Sequence, residues 1–575
     1  METISYKELK RLAKGAENCQ KKLAILGDCA TQQLATAIRG ESVRRAFALE
    51  VYDGDYDQME AEILDPQSEL YQFAPDYILI AGCTQKLRMR YEDTPMGERA
   101  DFAQKELSRF CSLWERIAAN CGARVLMFDF PEPDDAVFGS FAYRTEISFG
   151  YQCRKLNYLL DEAMSMQYPY VYPVAVSRIQ NQLGRDVFCD ARMWYLAKMS
   201  MLTETLPYAA ALVLDIVLAA QGRIKKCVIT DLDNTLWGGV VGDDGVDGIE
   251  LGELGTGPAF VALQRYLKSL RERGILLAVC SKNNEDAAKE PFERHPDMVL
   301  RMDDIAMFVA NWDDKATNIR LIQETLNIGM DSLVFLDDMP FERDLVRSML
   351  PEVTVPELPA DPAMVPAYLE GLHLFEAAGF SEADAARTAQ YRAEADRRVA
   401  QSRFDNYDDY LTSLEMQGHI AAFDSFHFAR IAQLTQRSNQ FNLRTVRYTD
   451  AEIEALAKNP DYVTRYMTLS DRFGDHGLIS VVILQRQADA MFIDTWLMSC
   501  RVLRRGVEQC LFDSVVALAL DNGFTKLKAE YLPTAKNKMV AHFYDECGMT
   551  PTGNGNYELD CTTYQPHETK ISLER

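Results

Sequence analysis

The chain has no histidine before His295, no Cys-x-x-Cys pair, no long apolar run and no surplus of positive charge. Each absence closes off a class of function. Without a histidine the first half supplies no base for a serine–histidine–aspartate relay, whose base must stand within hydrogen-bond reach of its nucleophile. The thirteen cysteines are scattered, odd in number and without metal-ligand spacing, which predicts reduced thiols and a cytoplasmic protein. The opening Met1-Glu-Thr-Ile-Ser-Tyr-Lys lacks a basic start and an apolar core, so no export segment is expected. A membrane span needs ~20 apolar residues. The best candidate, Ala209 to Ala220, falls short, carries Asp215 and reads as a buried helix. A net charge of −25 argues against nucleic acid or an anionic membrane as partner. An acidic carrier protein would need a local basic patch, such as Arg501, Arg504 and Arg505.

What is present is an ordinary globular composition, 47% hydrophobic and 26% charged over 575 residues, with room for about three or four domains. The most informative stretch runs from Cys227 to Gly245: an apolar run, then Asp231-Leu-Asp233-Asn-Thr235, then a glycine-rich loop. Two carboxylates so placed suit a strand tip that holds a divalent cation against phosphate, because magnesium takes hard oxygen ligands. Asp231 could then attack phosphorus while Asp233 hands a proton to the leaving oxygen. Taken alone, Asp-x-Asp is more simply a solvated turn. Three later segments reverse that preference. Ile275 to Asn284 is an apolar strand ending in Ser281-Lys282-Asn283, Asn311-Trp-Asp-Asp-Lys315 places a lysine beside a helical run, and Leu333 to Arg343 is a strand ending in Asp337-Asp338. An open α/β sheet gathers its ligands at such strand ends.

This order of motifs resembles the haloacid dehalogenase (HAD) phosphotransferases. The loops between them leave no room for a large cap, so an open site is expected. The resemblance implies a magnesium cofactor held by Asp231, Asp233, Asp337 and Asp338, with Asp233 using its carbonyl. It also implies phosphate contacts from Thr235, Ser281, Lys282, Asn283 and Lys315, and a small phosphorylated substrate.

Ahead of this segment, strands at Leu23 to Gly27, Ala46 to Tyr52, Tyr77 to Cys83 and Ala123 to Asp129 alternate with helices, a parallel α/β pattern. Gly27-Asp28-Cys29 resembles the first block of the SGNH hydrolases, with cysteine in place of the nucleophilic serine. With no base available, the domain reads as a degenerate SGNH-like module for binding or assembly, and Cys29 as a buried thiol. Pro351 to Pro366, with five prolines, reads as a boundary, and Ser381 to Asp405 as a connecting helix.

Beyond it, strands over Leu478 to Leu484, Met491 to Leu497 and Lys526 to Glu530, a helix from Gln509 to Leu520 and a closing helix from Asn537 to Cys547 resemble the GNAT acyltransferase fold. There a helix N-terminus receives pyrophosphate. Glu508 stands where that pattern has a small residue, which opposes ordinary acetyl-CoA but leaves a carrier-borne phosphopantetheine arm. The whole, from about Gly184 to Gly548, resembles the FkbH-like proteins on Asp-Leu-Asp-Asn-Thr-Leu-Trp-Gly-Gly-Val, Cys-Ser-Lys-Asn-Asn, Asn-Trp-Asp-Asp-Lys and Ser-Cys-Arg-Val-Leu-x-Arg-Gly-Val-Glu. Met339 replaces that family's usual asparagine.

The fold expected is therefore α/β in three domains: SGNH-like at 1–220, HAD-like and Rossmannoid without a large cap at 221–372, linker helices at 373–417, and GNAT-like α+β at 418–575. The resemblance implies dephosphorylation of 1,3-bisphosphoglycerate and loading of its glyceryl group onto an acyl carrier protein through Cys500. Asn439, Asn442, Arg444, His476, Arg501, Arg505 and His542 are candidates for the acyl or pantetheine site. The alternatives are a plain HAD phosphatase acting on a small phosphomonoester, and a non-enzymatic scaffold in surface-polysaccharide or secondary-metabolite assembly.

Overall fold

In a computed structural model of the chain, residues 4–15, 19–377, 379, 397, 406–438, 440–499, 502–534 and 536–573 are described. The chain divides into two compact units, Met1–Ala220 and Gln221–Arg575.

In the first unit β1 (Lys21–Gly27), β2 (Leu49–Asp53), β3 (Tyr77–Ala81), β4 (Arg124–Phe128) and β5 (Val171–Val174) form a parallel sheet in the order β2-β1-β3-β4-β5. Every residue of β3 is buried, the mark of a strand covered on both faces by crossover helices. The helix Phe102–Asn120 turns Phe110, Leu113, Trp114 and Ile117 inward at three- and four-residue spacing. Thr203–Ala220 is long and apolar enough to cross a membrane by length and composition, a longer run than the sequence reading allowed, yet 83% of it is buried inside the protein. Its Asp215 is tolerated because Arg45 reaches it at 2.8 Å, and the same guanidinium reaches Glu41 at 2.8 Å. It is a core helix.

The second unit opens on β6 (Cys227–Thr230), β7 (Leu276–Ser281), β8 (Met307–Ala310) and β9 (Leu333–Leu336), all parallel in the order β8-β7-β6-β9. Between β6 and the helix Gly257–Glu272 lies only a small flap, with a short helix Val241–Asp244 and a Gly238–Glu250 bridge. Between β7 and the helix Glu285–Arg294 there are three residues, Lys282 to Asn284. Neither connection holds an inserted cap. The proline-rich stretch, read as a boundary, lies inside this module, whose expected end is residue 372. Val365, Leu369 and Phe375 pack into the same core as Val228 and Leu277, so apolar burial outweighs the breaker composition.

The tail is built on β10 (Met416–Ala421), β11 (Phe441–Asn442), β12 (Tyr462–Asp471), β13 (Gly474–Arg486), β14 (Met491–Met498), β15 (Lys526–Glu530), β16 (Thr550–Gly553), β17 (Asn556–Asp560) and β18 (Ile571–Leu573). The order is β16-β17-β15-β14-β13-β12-β10-β18. β14 pairs in parallel with β15 only through Met491 to Ile493, while its far end, Leu497 and Met498, pairs with β11. The two central strands thus part company, and the helix Val507–Asp521 follows the opening. The strand expected up to Leu484 is the second arm of a long β12–β13 hairpin. One expectation is corrected: the closing helix is broken into a turn at Lys538–Val540 and a short helix Phe543–Glu546. The expected helix over 381–405 lies outside the described residues, Arg397 excepted.

β9 carries the paired acids, so its packing fixes their position. Phe335 is fully buried there, beside Ile229 of β6. Phe335→Ala should cost about 3–5 kcal/mol, read as a lower urea midpoint for the second unit. A change under about 1 kcal/mol would show that the strand is not held by this packing.

Candidate active site

Parallel strands place their C-terminal tips along one edge of the sheet. Asp231 follows β6, Ser281 ends β7, and Asp337 and Asp338 follow β9. Lys315 opens the helix Lys315–Leu326, which starts there because Asp314 caps it, accepting the Thr317 amide at 2.9 Å. The cap aims the lysine inward. Its Nζ stands 2.7 Å from Asp231 Oδ2 and also bonds Asp337 Oδ2. Burial alone would lower the lysine's pKa, but the charges of Asp231 and Asp337 reverse this and hold it well above its usual value.

Oxygens of Asp231, Asp337 and Asp338 lie within 4.8 Å of one another. Asp337 Oδ1 accepts the Met339 amide at 2.8 Å, whereas Asp231 Oδ1 is buried and accepts nothing. Burial and the Asp231 charge push Asp337 up to about 6; Asp338 is raised for the same reasons. Three carboxylates against one lysine leave about two negative charges in a water-poor pocket, a debt that a hard divalent cation matches. The orphaned Asp231 oxygen is a free ligand for it. These acids fit such an ion.

Asp233 is held differently. Its Oδ1 accepts Trp237 Nε1 at 2.9 Å and the Val241 amide at 3.0 Å, and its Oδ2 accepts Asn283 Nδ2 at 3.0 Å. Its carboxyl is therefore fixed by the flap and by the β7 loop. Burial raises its pKa, opposed by those donors. That direction suits a group that must carry a proton.

Of the residues expected to contact phosphate, Ser281 is buried at its strand tip and Lys315 reaches the acids. Thr235 Oγ1 accepts the Asp338 amide at 3.2 Å. Lys282 is ion-paired to Glu342 at 2.6 Å, and Asn283 orients Asp233. Met339, where the motif departs from the usual asparagine, is half-exposed beyond the acids and its amide still closes the turn. Sequence reasoning gave no role to Arg343 or Trp237. The buried Arg343 donates to the Asp337 and Asp338 carbonyls at 2.8 and 2.7 Å, holding the turn that aims both acids.

In the tail, Cys500, Arg501 and Asn439 lie outside the described residues. Asn442 is buried and its Oδ1 accepts the Thr445 amide at 2.7 Å. Arg444 bridges Asp494 at 2.7 Å and Glu530 at 2.8 Å. His476 is buried with Nε2 3.0 Å from Asp471, and Arg505 stands 3.8 Å from the same carboxylate. His542 is exposed, 3.5 Å from Asp545. The described donors of Asn442, Arg444 and His476 thus act within the fold. Glu508 Oε1 accepts the Arg504 amide at 2.7 Å, so a buried carboxylate sits in the first turn of the helix Val507–Asp521.

Residues 22–218 match the family model described as FkbH, N-terminal domain. A solved structure, the N-terminal part of the protein BF1531 from Bacteroides fragilis containing a phosphatase domain complexed with Mg, is 46% identical and similar at a TM-score of 0.62. The match covers 66% of this chain and 100% of that one. The chain belongs to the FkbH family. Its tail is similar to the ribosomal-protein-S18-alanine N-acetyltransferase of Escherichia coli (14% identity, 26% of this chain, 97% of that one, TM-score 0.20). It is also similar to the GNAT domain of S. lividans PAT (20% identity, 24% of this chain, 89% of that one, TM-score 0.20). No curated protein matches at a significant level.

The acid cluster sets a pH dependence for this FkbH-family protein. A carboxyl raised to about 6 keeps its proton in the folded chain at pH values where the unfolded one, at ~3.9, has lost it. The group therefore adds stability as pH falls from about 6 toward ~3.9, and a cation must displace that proton in the same window. The rise in melting temperature on adding a divalent cation should be full at about pH 8 and shrink as pH falls through about 6. A rise constant over that range would remove Asp337 from the ligand set.

Proposed function

We propose that this protein is a magnesium-dependent phosphatase of the HAD type that also loads an acyl group, with 1,3-bisphosphoglycerate as substrate and a carrier-borne phosphopantetheine thiol as acceptor. The observation that carries the phosphatase reading is the joint placement of Asp231, Lys315, Asp337 and Asp338 at adjoining strand tips. Membership of the FkbH family and the magnesium-bound phosphatase relative support it. Magnesium, held by Asp231, Asp337 and Asp338, would neutralise phosphate charge and polarise its oxygens.

The chemistry divides between two modules because the substrate carries two different phosphates. An acyl phosphate is an activated carbonyl. Attack there by a thiolate on carbon forms a thioester and expels inorganic phosphate, so the acyl group is captured intact. Attack on phosphorus instead would release a free carboxylate that no thiol can capture. Asp231 therefore acts on the phosphate ester at the far carbon. Its carboxylate oxygen attacks phosphorus, the carbon-side oxygen leaves, and Asp233 delivers that oxygen its proton. Water then attacks the aspartyl phosphate, Asp233 takes the water's proton, and Asp231 is restored as phosphate departs. Lys315 pairs with Asp231 and orients its carboxylate, and Asn283, Trp237 and Val241 hold Asp233 in line. Cys500 is the thiol assigned to the first capture, before transfer to the carrier.

Intact mass spectrometry tests both halves. With magnesium and 1,3-bisphosphoglycerate the wild type should gain a glyceryl adduct, Cys500→Ala none, and Asp231→Asn an adduct heavier by one retained phosphate. An adduct that survives Cys500→Ala removes that cysteine. An Asp231→Asn adduct identical to the wild-type one removes Asp231 from phosphate release.

A further inference from the structure

A second group of cation-binding side chains lies in the first unit, far in sequence from the phosphatase acids. The order β2-β1-β3-β4-β5 reverses at β1 and β3, and open parallel sheets collect ligands beyond the carboxyl ends of the strands at such a point. β1 ends at Gly27, followed by Asp28 and Cys29; β3 ends at Ala81, followed by Gly82 and Cys83. A carboxylate oxygen of Asp28 and the Sγ atoms of Cys29 and Cys83 lie within 4.8 Å of one another, all on buried residues.

Asp28 is only 5% exposed. Its Oδ1 accepts the Cys83 amide at 2.9 Å, but its Oδ2 accepts no hydrogen bond, and the nearest cation, Arg90, stands 3.6 Å away. Both cysteines are free thiols. Ser200 Oγ lies 3.3 Å from Cys29 Sγ. A cavity of ≈ 720 Å³, lined in part by Cys83, Ser200 and Trp194, reaches the cluster at its Cys83 side.

We propose that Asp28, Cys29 and Cys83 form a site for a thiophilic divalent cation of the zinc class, with the cavity leaving a fourth coordination position open. Two sulfurs and one oxygen are the donor set that thiophilic metals favour over magnesium, in contrast to the all-oxygen cluster of the phosphatase. At Zn–S near ~2.3 Å and Zn–O near ~2.0 Å, tetrahedral donors stand roughly 3.5–3.8 Å apart, so from 4.8 Å the cluster needs to close by no more than about 1.3 Å. The charge also balances. Both thiols release their protons to solvent, and two thiolates with one carboxylate around a dication leave one negative charge beside Arg90. Three protein ligands with an open position facing a cavity describe a site that receives a further ligand rather than a closed structural clasp.

The full-length chain, reduced with a phosphine, freed of metal by chelator and kept in excess Mg²⁺ to fill oxygen sites, is titrated with Co²⁺. One equivalent should produce the sulfur-to-cobalt charge-transfer band and tetrahedral visible bands, bleached by one equivalent of Zn²⁺. Cys29→Ser and Cys83→Ser should each weaken that binding more than about tenfold. Cys111→Ser, on the helix Phe102–Asn120, should leave it unchanged. Asp28→Asn gives a second arm that spares both thiols: the band persists while Co²⁺ binding weakens more than about tenfold. A wild type without a thiolate band, or a band of wild-type strength in both cysteine variants, overturns the site.

Discussion

A buried lysine shared by two buried carboxylates is the contact on which the acid cluster of this protein depends. Lys315 lets Asp231 and Asp337 remain side by side where water cannot screen them. Removing one member of such a group would leave uncompensated charge, a cost of about 3–5 kcal/mol. Much of the nearby structure serves that arrangement. Asp314 starts the helix that delivers the lysine, Arg343 ties down the carbonyls of the acidic pair, and Thr235 receives the Asp338 amide. The lysine offsets only part of the negative charge. The remainder is what makes the pocket a cation site and not merely an ion pair.

The same sheet geometry explains the separation of roles between the two neighbouring aspartates. Asp231 keeps one oxygen free of hydrogen bonds, while Asp233, two residues on, has its oxygens held by three donors. A free oxygen suits attack or metal binding. A restrained carboxyl whose pKa is raised by burial suits proton transfer. Two identical side chains thus acquire different chemistry from the backbone turn that separates them.

The module that carries Asp231 was legible in the sequence because its signals are local. Each motif is a short apolar strand followed at once by its polar residue, and a parallel sheet brings strand ends together whatever lies between them. The strand Lys526–Glu530 emerged with the bounds read from the sequence. Features set by long-range packing did not. The packing of Phe375, beyond the expected end at residue 372, into the core with Val365 and Leu369 is one such feature. The engagement of Lys282 by Glu342 joins residues sixty positions apart, and nothing in the motif names that partner. The sequence offers His476 as a candidate site residue but not its partners, a buried Asp471 carboxylate and Arg505. The pairing of Cys29 with Cys83 was likewise invisible, since only the order of β1 and β3 makes them neighbours.

The most direct measurement is a crystal structure of the full chain with magnesium and beryllofluoride, a mimic of a phosphoryl group on a carboxylate. The account requires the beryllium fluoride on an Asp231 carboxylate oxygen, with the cation touching Asp231, Asp337 and Asp338 and the Lys315 ammonium beside it. Beryllofluoride bound elsewhere, or a cation that bypasses all three acids, would contradict it.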